Sequence, residues 1–290
     1  MQPVFVGDVQ GCADEFGELL ARLRARFGER FELWLVGDLV NRGPRNLELL
    51  ETVAELVDRG RARYVLGNHE IGLLMTALGA RALRPNDTFA DVLDAPELSF
   101  WVEWLRRRPL VETGWLGDGR EARPFALVHA AVHPDWDLAE LEKQARRVEE
   151  RLGGRPVEAA AALLRAPRGA DPEREVLDRI TRCRSVDGRG GWSDEEPAVA
   201  GGRPWHAAWS ARRHGYGVVY GHWATQGLHV APGLRGLDTG CVHHGRSGPR
   251  ALTAWLPNSR AVDPFGVPDD RFWHVPARRR YAPAEGEGGW

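Results

Sequence analysis

Five short apolar segments of this chain each end in a residue whose side chain can bind a metal ion. Each apolar run reads as a β-strand that carries an Asp, Asn or His at its C-terminal end. Open α/β folds build their sites at the carboxyl ends of their strands, so we expect these five side chains to gather at one edge. The segments are VFVGD ending at Asp8, LWLVGD at Asp38, YVLGN at Asn68, FALVH at His129 and VVYGH at His222.

The residue types in this set indicate which metal ions would bind. Asp, Asn and His suit hard or borderline divalent cations. The three cysteines, Cys12, Cys183 and Cys241, show no metal-type spacing, so no structural zinc site is expected. A group of oxygen and imidazole ligands predicts a two-metal site that hydrolyses a phosphate ester or anhydride.

Composition narrows the class of protein. The chain has 290 residues, 43% of them hydrophobic, which is enough for one large domain or two small ones. A net charge of −2 excludes a global basic field for long nucleic acids. No apolar run approaches the roughly 18 to 20 residues of a membrane helix, and the N-terminus enters a strand at once. We therefore expect no signal peptide, no membrane association and a reducing cytoplasmic compartment.

The order of predicted elements favours one α/β domain with helical insertions. Strands near 3–7, 32–37 and 62–66 alternate with two amphipathic helices, which implies a largely parallel sheet. Two mostly helical blocks then interrupt the strand series. We predict a domain over 1–257, with insertions at about 71–112 and 138–215, and a polar tail over 258–290 that wraps the surface or is partly disordered. Within this plan 185–204 is loop-like, and further strands lie near 217–221, 234–238 and 250–256.

The first two strand ends carry residues suited to binding metal and phosphate. Asp8 and Gln10 lie two residues apart and can turn toward one cation, although a turn before a helix is an alternative explanation for GDVQG. Asp38 is the candidate for a carboxylate that bridges two cations. Arg42 follows four residues later, and its planar fork matches two phosphate oxygens. A surface arginine is the alternative, because nearly all basic residues here are arginines.

The remaining strand ends suggest a second metal and a proton donor. Asn68 can bind through its side-chain oxygen, and the adjacent His69 would then face the leaving group as a general acid. His129 and His222 would complete the second metal through ring nitrogens. A lone histidine at a strand end is more often structural, but two of them beside two GD motifs are hard to explain as core packing.

Seven motifs together resemble the calcineurin-like metallophosphoesterase superfamily. Within it the chain resembles the symmetrical bis(5′-nucleosyl)-tetraphosphatases, which are relatives of the serine/threonine phosphoprotein phosphatases. The resemblance spans roughly residues 3–256. The motifs are GDVQGC (7–12), GDLVNRGP (37–44), LGNHE (66–70), HAAVHPDWDL (129–138), TRCR (181–184), GHWA (221–224) and LDTGCV (237–242).

The resemblance implies a fold, a cofactor and a set of ligands. The fold would be two packed mixed β-sheets flanked by helices, and the cofactor two divalent metal ions, Mn²⁺ before Co²⁺ or Mg²⁺. His69 would be the general acid and Arg42 a phosphate clamp, while Arg184 and, less directly, Arg182 would bind further phosphate oxygens. One metal would be held by Asp8, Gln10 and Asp38, and the other by Asp38, Asn68, His129 and His222.

Two positions depart from the superfamily pattern. Gln10 stands where the superfamily usually has His, and a Gln oxygen is a weaker, harder ligand that favours Mn²⁺ or Mg²⁺. Asn41 stands where the protein phosphatases have an Asp that supports the protonated histidine. Asn41 can orient His69 but adds no charge. A nucleotide phosphate leaves readily without full protonation, so this departure favours an anhydride substrate over a phosphoprotein.

These observations predict a hydrolase that cuts diadenosine tetraphosphate symmetrically to two ADP by in-line attack of a metal-activated hydroxide. Three alternatives stay open: a serine/threonine or broad-specificity phosphatase, an enzyme that removes nucleoside-tetraphosphate caps from RNA 5′ ends, and a non-catalytic nucleotide-binding sensor. His243 and His244 follow the DTGC turn and are weaker candidates for phosphate contact. The oligomeric state is not predicted. Five tryptophans near the site are interpreted as packing residues before base-stacking ones: Trp136, Trp192, Trp205, Trp209 and Trp223.

Overall fold

Two five-stranded sheets form the centre of the computed structural model, which describes residues 1–117, 122–195, 202–243, 250–258 and 261–281. The strands are β1 (Gln2–Val6), β2 (Phe31–Leu35), β3 (Ala62–Tyr64), β4 (Val111–Leu116), β5 (Arg123–Val128), β6 (Ser185–Val186), β7 (Trp192–Ser193), β8 (Arg203–Pro204), β9 (Gly217–Tyr220), β10 (His229–Ala231), β11 (Leu234–Gly236), β12 (Ala251–Trp255) and β13 (Phe272–Pro276). The helices are α1 (Ala13–Phe27), α2 (Asn46–Asp58), α3 (Asn68–Ala77), α4 (Ala90–Leu93), α5 (Leu98–Arg106), α6 (Leu138–Glu149), α7 (Val157–Arg165), α8 (Pro172–Arg182) and α9 (Trp205–Ser210).

Both central sheets are mixed. The first has the order β13-β12-β1-β2-β3, in which only β1, β2 and β3 run parallel. The second has the order β10-β11-β9-β5-β4, with parallel pairs at β11-β9 and β9-β5. The fold prediction of two mixed sheets flanked by helices is confirmed, whereas the expectation of a largely parallel first sheet holds for three of its five strands.

Alternation along the strands produces two apolar layers. In β1, Val4 and Val6 pack with the helices, while Phe5 points into the layer between the two sheets. The ring of Phe5 contacts that of Phe125 from the second sheet edge to face, with centroids 5.1 Å apart. The ring of Trp255 in β12 also contacts Phe5, at the same centroid distance of 5.1 Å. Aromatic contacts therefore lock the sheets face to face and fix where their strand ends meet.

The helical segments lie where the sequence pattern predicts them. The apolar stripe of α1, which includes Phe16 and Leu19, is buried against the sheet. Helices α3 to α5 occupy most of 68–106, and α6 to α8 occupy most of 138–182. No helix in the described ranges is long and apolar enough to cross a membrane.

Several strands at the periphery were not predicted. The edge strand β4 lies at the end of the first helical block, and β6, β7 and β8 form a small antiparallel sheet inside the segment expected to be loop-like. The tail expected from residue 258 contributes the edge strand β13, paired antiparallel with β12. Residues 282–290 and His244 fall outside the described residues.

Candidate metal centre

The ends of strands from both sheets bring the predicted ligands together. Asp38 follows β2, whereas His129 and His222 follow β5 and β9, and ligand atoms of these three buried residues lie within 4.8 Å of one another. Asn68, the first residue of α3, places Oδ1 3.0 Å from Nε2 of His129 and 2.8 Å from Nδ1 of His222. Asp8, after β1, accepts the backbone N–H of His222 at 3.1 Å.

Backbone carbonyls fix which nitrogen of each histidine faces the cluster. Nδ1 of His129 donates to the carbonyl of Val36 at 2.9 Å, and Nε2 of His222 donates to the carbonyl of Arg182 at 3.0 Å. In each neutral ring the inward nitrogen is then a lone-pair acceptor, as a metal ligand must be. The inward nitrogen of His129 is 3.3 Å from Oδ2 of Asp38, which is also an acceptor. When both rings are neutral, these converging acceptor atoms form a donor set that fits a divalent cation.

The electrostatics of the cluster also favour a cation. Burial alone would lower the pKa of His129, but the charge and hydrogen bond of Asp38, the carbonyl of Val36 and the charge of Glu70 together raise it. Burial, followed by repulsion from Asp238 and Asp38, raises the pKa of Asp8 well above its usual range. Asp238 is buried and belongs to the LDTGC motif, yet its proximity to Asp8 was not predicted. A positive charge among these side chains would relieve their mutual repulsion.

The backbone around the centre is held in a sparsely populated conformation. Among the described residues, five that are not glycine have positive φ, and all five belong to the predicted site or adjoin it. Such conformations persist where the surrounding structure over-determines them, and they concentrate at functional sites. The residues are Gln10 (49°), Asp38 (50°), Asn41 (76°), Arg42 (66°) and His222 (69°).

Glycine precedes the ligands because a side chain there would collide with them. A Cβ on Gly67 would clash with Oδ1 of Asp38, and one on Gly221 would clash with Oδ1 of Asp8. The recurring GD, GN and GH pairs therefore record how closely the strand ends approach one another.

Glu70 supports the centre by holding its backbone in place, a role that the sequence did not reveal. Its side chain is fully buried and accepts four backbone N–H groups, from Asp38, Leu39, Val40 and Gly67, at 2.8 to 3.1 Å. One carboxylate thus ties the end of β2 to the start of α3. Its presence in GNHE was the available signal, but its partners could not be read from the sequence.

His69 is oriented by Asn41. Oδ1 of Asn41 accepts the backbone N–H groups of Arg42 and Thr88, both at 2.9 Å, so its Nδ2 must be the atom 2.9 Å from Nδ1 of His69. Nδ1 then accepts a hydrogen bond, and the ring proton resides on Nε2. Burial, only partly offset by Asp38, lowers the pKa of His69 to about 4, which keeps the ring neutral near pH 7.

Asn41 is itself held by a carboxylate that the motifs did not reveal. Oδ1 of Asp87 accepts Nδ2 of Asn41 at 3.1 Å, and its Oδ2 pairs with Arg81 at 2.7 Å. Asp87 lies in the connection before α4, outside all the motifs. The result is a chain of contacts from Arg81 through Asp87 and Asn41 to His69.

The three arginines predicted as phosphate ligands differ in their contacts. Arg42 is close enough to lower the pKa of His69, and its Nη1 donates to the carbonyl of Asn86 at 2.8 Å. Arg182 pairs with Asp194 at 3.2 Å, and Nη1 of Arg184 donates to the carbonyl of Asp194 at 3.0 Å.

The charges of Arg184 and Arg182 also help to lower the pKa of His222, after burial, so both lie near the centre. His243 is largely buried in a short 3₁₀ turn, Cys241–His243. Gln10 is buried, and its backbone N–H donates to the carbonyl of Asp38 at 2.8 Å.

The tryptophans behave mainly as packing residues. Trp205 and Trp209 are buried in the apolar core, and Trp136, Trp192 and Trp223 are partly buried against it.

Comparisons with known proteins agree with the geometry. The calcineurin-like phosphoesterase family matches residues 1–226. A symmetrical bis(5′-nucleosyl)-tetraphosphatase of Ralstonia nicotianae is 37% identical over 263 residues, which cover 84% of this chain and 87% of the relative. Its counterpart in Nitrosococcus oceani is 37% identical over 265 residues, covering 83% and 89% respectively.

Among solved structures, a candidate diadenosine tetraphosphatase aligns over 95% of this chain and 93% of its own, with a TM-score of 0.59 and 23% identity. A cold-active protein-tyrosine phosphatase of a Shewanella species aligns over 94% of this chain and 80% of its own, with a TM-score of 0.50 and 16% identity. At these identities the structural matches establish a shared fold alone.

Proposed function

The chain belongs to the calcineurin-like phosphoesterase family, and from this premise we propose that it hydrolyses bis(5′-nucleosyl) tetraphosphates symmetrically, giving two ADP from diadenosine tetraphosphate. The observation that carries the proposal is the 37% identity to curated tetraphosphatases over nearly nine-tenths of their length. The convergent Asp38, His129 and His222 supply the metal-binding chemistry that such a reaction needs.

The proposed cofactor is a pair of divalent cations, with Mn²⁺ favoured because most donors are oxygens. Cations bound here would lower the pKa of a water molecule and neutralise charge on the phosphate chain. Asp38 would bridge the two ions. Asp8 and Gln10 would complete the first position, and Asn68, His129 and His222 the second.

Five side chains are assigned to the substrate. His69 presents Nε2–H, and we assign it to the leaving nucleotide as donor. Arg42 offers its guanidinium fork to non-bridging oxygens, with Arg184 and Arg182 as further phosphate contacts. His243 is kept as a weaker phosphate contact. Among these residues Arg42 is the strongest candidate for a phosphate contact, because its charge is close enough to His69 to lower the pKa of that histidine.

The state of His69 supports an anhydride substrate. Asn41 orients the ring of His69 without adding charge. The pKa of His69 is about 4, so little of the ring is protonated at neutral pH. A neutral ring can donate a hydrogen bond but supplies a proton poorly. A nucleotide phosphate tolerates this, whereas a serine alkoxide does not, so the arrangement favours a dinucleoside polyphosphate over a phosphoprotein. We further propose a reducing, cytoplasmic setting, because all three cysteines are free thiols.

Product analysis by anion-exchange chromatography tests the proposal. Metal-stripped enzyme is incubated with diadenosine tetraphosphate plus Mn²⁺, Co²⁺ or Mg²⁺, beside a phosphopeptide and an RNA with a nucleoside-tetraphosphate cap. ADP as sole nucleotide product is expected. ATP plus AMP would show that the phosphate chain binds in a shifted register. Phosphate release from the peptide alone would assign the protein to the phosphatases, faster attack on the RNA would make decapping its activity, and no turnover with any cation would favour a sensor.

A further inference from the structure

A second group of potential metal ligands lies within the described residues, outside the centre above. It consists of Cys12, Glu15 and Cys241, whose sulfur and carboxylate oxygen atoms lie within 4.8 Å of one another. None of the three is more than 1% exposed. Sequence spacing did not predict this group, because more than 220 residues separate the two cysteines along the chain.

Three distant segments meet at this cluster. Cys12 immediately precedes α1, and Glu15 follows three residues later in its first turn, on the same helix face. Cys241 begins the 3₁₀ turn after β11. The segment after β13 closes over them: Arg278 donates its backbone N–H to Oε1 of Glu15 at 2.8 Å, and the hydroxyl of Tyr281 donates to the same oxygen at 2.9 Å.

The second oxygen of Glu15 has no such partner. Oε2 is buried and receives no hydrogen bond from any described residue. A buried carboxylate oxygen without a donor is costly, so native proteins rarely keep one without reason. Here the two thiols and the carboxylate share one small space, in which the thiol of Cys12 lies within hydrogen-bonding reach of the thiol of Cys241 and makes a long contact of 3.9 Å with the carbonyl of Gln10. Two sulfurs and one hard oxygen form a donor set suited to a thiophilic cation.

We propose that Cys12, Cys241 and Glu15 bind a thiophilic divalent cation such as Zn²⁺, at a structural site separate from the catalytic one. Both thiols release their protons on binding, and the cation takes the place of the missing donor to Oε2. The site joins the start of α1, the turn after β11 and the C-terminal segment near Tyr281. This proposal does not depend on the substrate assigned above, because it concerns other ligands and a different metal preference.

Cobalt substitution gives a readout that does not require catalysis. Reduced, metal-stripped full-length protein is titrated with Co²⁺ while near-ultraviolet absorption is recorded. Bonds from thiolate to Co²⁺ give an intense charge-transfer band, whereas the oxygen and nitrogen ligands around Asp38 give none. We expect the band to saturate at one equivalent of thiolate-bound Co²⁺ and to disappear when Zn²⁺ is added, and native mass spectrometry should then show one more Zn²⁺ per chain in wild type than in Cys12→Ser.

Variants assign the signal to these residues. Cys12→Ser and Cys241→Ser should each abolish or strongly reduce the band, and Glu15→Gln, which keeps both thiols and nearly the same volume, should weaken Co²⁺ binding at least about 10-fold. Cys183→Ser is the matched control, because Cys183 is equally buried but outside the cluster. A wild-type protein with no band overturns the proposal whether or not the variants fold. Loss of the band in Cys183→Ser, or loss of two thiols to a Cys12–Cys241 disulfide in protein that binds no Co²⁺, would also overturn it.

Discussion

At the scale of single residues, each histidine ring at the centre has one nitrogen that hydrogen-bonds to the protein and one that is available to a metal or a substrate. His129 and His222 anchor their outer nitrogens on carbonyls and turn lone pairs inward. His69 does the opposite, since Asn41 occupies Nδ1 and leaves the proton on Nε2. The first arrangement suits a metal ligand and the second a hydrogen-bond donor, so the three histidines of this cluster are suited to two different roles.

The role assigned to His69 predicts a large kinetic effect without loss of metal. His69→Ala should lower kcat by roughly 10²-fold, the lower end of the range for general acids, because the leaving group loses the hydrogen bond from Nε2 but departs without full protonation. Steady-state kinetics with metal analysis checks this. The matched control is His274→Ala, an exposed histidine on the edge strand β13. Unchanged turnover, or parallel loss of bound metal, would remove His69 from the mechanism.

Asp87 should act through Asn41 as a positioning residue. Asp87→Ala removes the acceptor that holds Nδ2 of Asn41, so His69 loses its fixed orientation and kcat should fall roughly 10-fold at constant KM, as for other outer partners of a site. Asp87→Asn keeps an acceptor and should recover part of that loss.

Asp94→Asn, an exposed neighbour after α4, is the control for Asp87. If both Asp87 variants lose activity only in proportion to a lower melting temperature, the role of Asp87 is structural.

At this scale the sequence predicts individual residues more readily than their contacts. Asp8, Asp38, Asn68, His129 and His222 were predicted as ligands because each ends an apolar run beside glycine or within a motif. Asp87 was missed because it has no such context, and its link to Asn41 spans 46 residues of chain. The meeting of Cys12 with Cys241 was missed for the same reason, since tertiary folding alone brings them together.

At the scale of elements, the centre depends on a junction between β2 and α3. Glu70 bonds the backbone at both sides of that junction with both carboxylate oxygens. Four buried hydrogen bonds to Glu70 offset the conformational free energy that the strained backbone costs. This explains how Asp38 can keep a positive φ of 50°.

Glu70→Gln should therefore destabilise the fold. The amide nitrogen can accept no hydrogen bond, so two of the four buried N–H groups lose their acceptor, at about 1–3 kcal/mol for each orphaned donor. Urea unfolding measures the free energy of unfolding. Glu48→Gln, an exposed glutamate of α2, should change it by less than about 0.5 kcal/mol. Equal stability of the two variants would contradict the role given to Glu70.

Strands were predicted where their residues are buried, including the edge strand β3, and missed at the other edges of the two central sheets. The core strands β1, β2, β5 and β9 have nearly continuous apolar runs because both faces are covered. The residues of β4 are mostly half-buried, and the pattern VETGWL resembles a loop as much as a strand. The two-residue strands β6, β7 and β8 are too short for any periodicity. The apolar pattern of the sequence therefore predicts which strands are buried, and it does not predict strand formation itself.

The contact between α9 and β10 should make the fold sensitive to acid. Burial, with the neighbouring ring of His229, lowers the pKa of His206 from 6.5 to about 4. Between these values the unfolded chain binds a proton that the folded protein does not, so stability falls as the pH falls from about 6.5 toward 4.

His206→Gln removes that titration. In chelator-treated protein the drop in melting temperature between neutral and acidic buffer should be smaller for this variant than for wild type. An equal drop would show that His206 does not contribute to acid sensitivity.

At the scale of the whole molecule, the candidate centre connects the two sheets. Asp8, Asp38 and Asn68 come from the first sheet and its connection to α3, whereas His129 and His222 come from the second. Their ligand atoms meet only when the sheets are packed through Phe5 and Phe125. The unfolded chain does not bring them together, so a cation bound here binds the native state selectively and stabilises it.

Removal of metal should therefore lower the stability of the entire fold, not only of the loops. Mn²⁺ at about 100 times its dissociation constant should add about 2.7 kcal/mol to the free energy of unfolding, which scanning calorimetry would record as a rise of several degrees in melting temperature. His129→Ala should remove most of this rise because it removes one of the two ligands that the second sheet supplies, while His274→Ala should keep it. If His129→Ala responds to Mn²⁺ as wild type does, the stabilising ion binds elsewhere.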